Sequence, residues 1–353
     1  MNKEGYKKTA IAASVYAVVA LSVMFYRAGT KRIIIADAAE NAYASETGLD
    51  SYSLRARQPS GTEEEGKLII PLPGGVHSEN VRLENRYIEH RIVLYVEAKD
   101  ISFYQTNALV ADIDNLESAI CIPQNEDGEV ALIFQLDGIY ESFSELTDNS
   151  IVIQFADPQD IYEHIIVVDP LMGGEFLGSC KDDIVEKDVN LNIALALKKL
   201  TDENTDESFK VFFTRTSDVY RDDATRFEFV EECGADMYIQ LATGLDEEDT
   251  EGIASFYNGK YYIREFGNVD LANELEGNVL ATTSASARGL REIEDPESLL
   301  WSTKIPSTQL NVGNLAYETE IKKLGDDKYI GKLAQGLYNG IINALSQISE
   351  TEK

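Results

Sequence analysis

Residues 164–174 read His-Ile-Ile-Val-Val-Asp-Pro-Leu-Met-Gly-Gly. The β-branched run 165–168 predicts a buried strand. Asp169-Pro170 ends it, and Gly173-Gly174 permits a tight turn close to a neighbouring group. The chain then runs through Val-Glu-Lys-Asp-Val-Asn-Leu at 185–191 into a helix over 189–200, where Ile193, Leu197 and Leu200 share one face. Strand and helix keep alternating: strands at 211–213 and 237–241, helices at 224–233, 269–282 and 328–346. This order predicts an α/β fold, a mixed sheet flanked by helices, over residues 160–350.

Further runs follow in order. Residues 210–218 read Lys-Val-Phe-Phe-Thr-Arg-Thr-Ser-Asp, 235–244 read Ala-Asp-Met-Tyr-Ile-Gln-Leu-Ala-Thr-Gly, and 305–314 read Ile-Pro-Ser-Thr-Gln-Leu-Asn-Val-Gly-Asn. Together with 164–174 and Arg226, they resemble the zinc-dependent N-acetylmuramoyl-L-alanine amidases (amidase type 3 domain). Those bacterial enzymes cut the stem peptide from peptidoglycan. Several motifs agree in order and spacing over about residues 163–347. The resemblance implies that the family's Asp-Pro-Gly-His-Gly-Gly places a metal-binding His at position 172, where this chain has Met172. Its Ala-Asp-Leu-Phe-Ile-Ser-Ile-His-Ala-Asn places a second His at Ala242. Its Met-Pro-Ala-Val-Leu-Val-Glu-x-Gly-Phe places the catalytic Glu at Asn311. The metal-binding Glu survives as Glu186. Arg288-Gly289-Leu290 resembles the family's Arg-Gly-Val beside the substrate groove; Arg288 is therefore a candidate groove residue, together with Gly173, Gly174 and Cys180 near the turn.

These replacements predict a centre without its chemistry. A catalytic zinc takes three protein ligands and an open water position. The Met172 thioether suits Cu(I) better than zinc, and Ala242 offers no donor. Without the metal no water is acidified, and Asn311 cannot exchange a proton as a general base does. The expectation is a pseudoenzyme with no cofactor. The alternative is a site rebuilt around Glu186, Asp182 and Cys180 for zinc or another metal; Asp182 and Asp183 in the same loop are also candidates, with Glu186, for a hard cation such as calcium. Of the three His residues, His164 stands at the wrong end of its strand, and His77 and His90 belong to an upstream domain. Asn190 and Arg215 are read as helix and loop anchors.

Composition narrows the partners. A formal charge of −31 over 353 residues, with no basic patch, excludes nucleic-acid binding. Cys121, Cys180 and Cys233 form no spaced pair, so no disulfide framework is implied.

The N-terminal half carries different signals. Residues 9–26 are uncharged and apolar, and eighteen residues at about 1.5 Å each approach the ~30 Å hydrocarbon core. No small-x-small site closes the run and Arg27 follows it, which favours an uncleaved anchor over a cleaved signal. Residues 1–32 are therefore expected to form a cytoplasmic tail and transmembrane helix. The resemblance places the bulk of the chain outside a bacterial membrane, as a single-pass protein. Residues 33–66 read as an acidic, turn-rich linker. Residues 67–157 read as a small all-β domain: runs at 68–70, 91–96, 130–134 and 150–155 are separated by turn signals. Its position is similar to that of the wall-targeting β-domains that precede such amidases. Three functions follow: a pseudo-amidase that binds peptidoglycan or a cell-wall protein, a working amidase with a rebuilt site, or a structural part of a wall or division assembly.

Overall fold

The computed structural model describes residues 52–97, 102–124, 129–204, 208–246, 250–260 and 266–351. The expected anchor at 9–26 and the first part of the expected linker lie outside the described residues. No helix among the described residues is long and apolar enough to cross a membrane. The chain divides into two units, one ending at Phe155 and the other carrying Ala156–Lys353.

The first unit is all-β. Its strands are β1 (Tyr52–Ser53), β2 (Ala56–Arg57), β3 (Leu68–Pro71), β4 (Val81–Arg86), β5 (Arg91–Glu97), β6 (Leu109–Ala111), β7 (Leu116–Pro123), β8 (Glu129–Leu136), β9 (Glu141–Leu146) and β10 (Ser150–Ala156). They form two five-stranded sheets, ordered β1-β7-β8-β5-β4 and β2-β6-β3-β10-β9. The unit starts earlier than the sequence suggested. β1 and β2 fall inside the stretch read as linker, and Arg57 pairs with Glu64 at 3.0 Å within it. Ile151 and Ile153 alternate with half-exposed neighbours, as a half-buried strand requires. β5, by contrast, is buried continuously from Ile92 to Val96 and does not alternate.

The second unit carries β11 (His164–Pro170), β12 (Cys180–Lys181), β13 (Ile184–Val185), β14 (Phe209–Phe213), β15 (Met237–Gly244), β16 (Ile253–Tyr257), β17 (Ala287–Glu292) and β18 (Ser307–Asn314). Its longer helices are α1 (Glu186–Glu203), α2 (Asp223–Glu232), α3 (Asn268–Thr283), α4 (Glu318–Leu324) and α5 (Asp327–Thr351). Six strands make one mixed sheet, β14-β11-β15-β18-β16-β17, in which only the β18–β16 pair is antiparallel. Ile166, Val168, Ile239 and Leu241 face Val189, Ile193 and Leu197 of α1 and the apolar faces of α3 and α5 in one core. Strand alternation turns Phe212 the other way, where it meets Phe229 of α2 edge to face. Helices therefore cover both faces, as the strand–helix alternation predicted. α5 packs closely on α3: a Cβ added at Gly336 would lie 2.6 Å from the Val279 Cα.

In this sheet order, β11 sends the chain one way to β14, and the return crosses to β15 on the other side. Ligand crevices of α/β sheets open at the carboxyl ends of strands where the order reverses. Here that point lies between β11 and β15. His164 opens β11 at the opposite end, beside Asp236.

Candidate functional site

The site is built on the turn after β11. Met172, Gly173 and Gly174 all have positive φ, at 69°, 146° and 54°. Gly173 is required there, since a Cβ would fall 1.9 Å from the Val219 carbonyl oxygen. Met172 holds a left-handed conformation that costs an ordinary residue about 1–2 kcal/mol. His is enriched in that region and Met is not.

Three strand ends bring the sequence candidates together. Glu186 opens α1 and is 4% exposed. Its Oε2 accepts from the Ser179 N–H at 2.7 Å and its Oε1 from the Thr243 N–H at 3.0 Å. A Cβ on Gly178 would meet both Glu186 Oε2 and Met172 Cγ, so these three residues converge. Ala242 pairs in register with Asn311 across β15 and β18. Asn311 Nδ2 and Arg288 Nη1 both lie within about 4 Å of a Cβ placed on Gly244, which puts Arg288 on the same rim.

The residues that replace the family pattern bond to one another. Gln309 donates to Asn311 Oδ1 at 2.9 Å. The Thr243 hydroxyl donates to buried Asn190, whose amide donates to the Leu171 carbonyl at 3.1 Å. Tyr238 and Gln240, where the family run has Phe and Ser, reach the fully buried Asp169. Asp169 also accepts from Thr214 at 2.6 Å and pairs with Arg226 at 2.5 Å. Burial and the Asp169 carboxylate push the Tyr238 hydroxyl well above its ordinary value, so it stays a donor. Burial works most strongly against the Arg226 charge, but Asp169, Tyr238 and Asp223 together outweigh it and raise the guanidinium above its usual value.

The anchors hold the loop. Arg215 donates to the carbonyls of Pro170, Leu171, Lys187 and Ser217. Lys187 donates to the Gly174 carbonyl at 3.0 Å and to Asp218. Partial burial pushes the Asp218 carboxyl up, but Lys187 and the Gly174 N–H outweigh it and hold it below its ordinary range.

The loop read as a rescue ligand set is a β-hairpin, β12–β13, with Cys180 opposite Val185. Cys180 is exposed with its thiol toward the Gly178 carbonyl at 3.4 Å, and Asp182 and Asp183 are exposed at the turn. Among the described residues, no group of three His, Cys, Asp or Glu side chains gathers where it would hold a metal. With a thioether, a methyl group and a carboxylate already bonded to two backbone N–H groups, the donor set does not fit a catalytic zinc.

Some of this was invisible to sequence reading. Nothing marks Thr243, 57 residues away, as the partner of Glu186. The Asp169 network did leave a trace: Tyr238 and Gln240 are polar departures two residues apart on one strand, which alternation places on one face.

The fold is that of a class of cell-wall hydrolases. The family model of N-acetylmuramoyl-L-alanine amidases matches residues 166–343, and the chain belongs to that family. The germination-specific N-acetylmuramoyl-L-alanine amidase of Bacillus subtilis is 27% identical over 198 residues, covering 52% of this chain and 80% of that protein. The amidase LytC of the same organism is 22% identical, over 50% of this chain and 35% of its own. Solved structures similar to this chain include the catalytic domain of CwlV from Bacillus (Paenibacillus) polymyxa, at 22% identity and a TM-score of 0.47 over 52% of this chain and 98% of that one. Another is the CwlD amidase of Clostridioides difficile, solved with the GerS lipoprotein, at 25% identity and a TM-score of 0.46 over 52% and 98%.

Proposed function

We propose that this chain is a non-cutting member of the amidase family, a module that binds cell-wall material or a wall protein. In this reading the segment at 9–26 anchors it as a single-pass protein with its bulk outside the membrane. The observation that carries it is Glu186. The one family metal ligand retained here accepts two backbone hydrogen bonds, between a Met and an Ala that stand where imidazoles are expected. The neighbouring replacements are bonded among themselves, so the centre serves as structure. A rebuilt metal site would need Cys180, which faces solvent on its hairpin.

The test is to incubate the full chain in detergent, with added zinc, on purified peptidoglycan. New L-alanine amino termini and co-sedimentation are both measured. The reading predicts co-sedimentation or retention of a wall protein with no new amino termini. Stoichiometric release of stem peptides overturns it.

A further inference from the structure

The rim of the degenerate centre carries an exposed apolar ridge. Phe176 and Tyr220 stack with ring centroids 3.9 Å apart, yet they are 53% and 40% exposed, and Leu177 beside them is 46% exposed. Exposed apolar groups that adjoin one another, unlike scattered ones, mark binding surfaces. Beneath the stacked rings lies a cavity of about 260 Å³, lined by Leu171, Met172, Phe176, Tyr220 and Arg221, among others. That is below the roughly 300–1,000 Å³ of small-molecule sites. It suits a single anchoring side chain of the kind that dominates protein interfaces. Met172 lines both this cavity and the former metal centre.

The surroundings are acidic. Glu175, Asp182, Asp183, Asp218 and Asp222 on the same two segments are exposed. Of the cations nearby, Arg215 donates to four carbonyls, Lys187 bonds Asp218 and Gly174, and Arg226 bonds Asp169 and Asp223; Arg221 lines the cavity and Lys181 is exposed on the hairpin, and the five exposed carboxylates outnumber these two. The whole chain adds a net charge of −31. Such a field steers and selects a cationic partner and gains nothing from a neutral sugar.

We infer that the Phe176–Leu177–Tyr220 ridge and the cavity beneath it dock a segment of a protein partner that carries one large apolar anchor flanked by lysines or arginines. This rests on the non-cutting reading and names the partner class for it.

The probe is a fluorescent peptide of Lys and Leu with one central Trp, titrated against the full chain by anisotropy. Three comparisons accompany it: the same peptide with Glu for Lys, a Lys-Gly peptide, and chitohexaose as competitor. The expected result is binding of the Lys-Leu-Trp peptide, weakened by added salt. The double variant Phe176→Ala, Tyr220→Ala lowers affinity at least about tenfold, as loss of an aromatic hot spot does. So does Glu175→Lys with Asp183→Lys, while Leu195→Ala with Val269→Ala on other faces leaves it unchanged. All these side chains are exposed, so the variants should melt as the parent does.

Equal binding of the Lys-Gly or the Glu peptide overturns the inference, as does an unaffected aromatic double variant. Displacement by chitohexaose assigns the ridge to glycan. Self-association abolished by Phe176→Ala assigns it to a second copy. Zinc content and stem-peptide release, measured on the same preparation, separate a failure of the docking claim from a failure of the non-cutting reading.

Discussion

Replacing Glu186 with Ala lowers the stability of the second unit by about 2–4 kcal/mol in the absence of any metal. The side chain is 4% exposed and accepts from Ser179 at 2.7 Å and Thr243 at 3.0 Å. A buried N–H left without an acceptor costs about 1–3 kcal/mol. Thr243 is 3% exposed and falls at the upper end of that range. Ser179 is half-buried, so water replaces part of its loss. For a unit of roughly 150–250 residues, 1 kcal/mol moves Tm by about 2–4 °C, so the shift is about 4–16 °C. Glu186→Gln keeps the volume and one acceptor but turns an amide donor toward an N–H, and gives an intermediate shift. The assay is a calorimetric melt of the full chain with chelator and then with zinc. A group kept only as a metal ligand behaves oppositely. Without metal it is a buried charge lacking its partner, and removing it is neutral or stabilising. An unchanged or raised metal-free Tm in Glu186→Ala would refute the reasoning, as would a zinc-induced rise in wild-type Tm that the variant lacks.

Other predictions rest on separate contacts. Gly336→Ala destabilises by about 1–3 kcal/mol, because its Cβ would stand 2.6 Å from the Val279 Cα. Gly331→Ala on the same helix meets nothing within 4 Å and gains up to about 1 kcal/mol from helix propensity, so parallel urea melts should move in opposite directions. Arg226→Ala leaves the buried Asp169 carboxylate without its cation and costs about 3–5 kcal/mol, read in the same melts. The Glu64 carboxyl titrates at about 2 because the Arg57 side chain and the Ser60 N–H bond to it. A depressed pKa means the contact is fully present above about 4.5 and lost as pH falls through about 2. A carbon-detected NMR titration showing an ordinary midpoint for Glu64 would remove this contact from the first unit.

How much of this was legible before the structure depended on the range of the interaction. Strands such as 165–168 and 237–241 are set by local apolar runs, and the helix at 189–200 by its own periodicity. All three appear where they were read. The strands β16 and β17 were not read: β17, at the edge of the sheet, spells Ala-Arg-Gly-Leu-Arg-Glu, a pattern that forms a strand only because β16 offers it a ladder. The stretch at 33–66 looked like linker because its composition is polar. Two of its short pieces nevertheless pair with β6 and β7, partners more than fifty residues away. At the centre, Met172, Ala242 and Asn311 were singled out because each lies inside a run that resembles the family's. The hydrogen bonds of Glu186 could not be read, because both of its partners are backbone N–H groups, which any sequence supplies.

The most direct test of the account is a calorimetric titration of the metal-free full chain with zinc, with Met172→His, Ala242→His run beside it. The account predicts no stoichiometric binding by the wild type and a new saturable site in the variant with both imidazoles restored. One tightly bound zinc per wild-type chain, lost in Glu186→Gln, would contradict it.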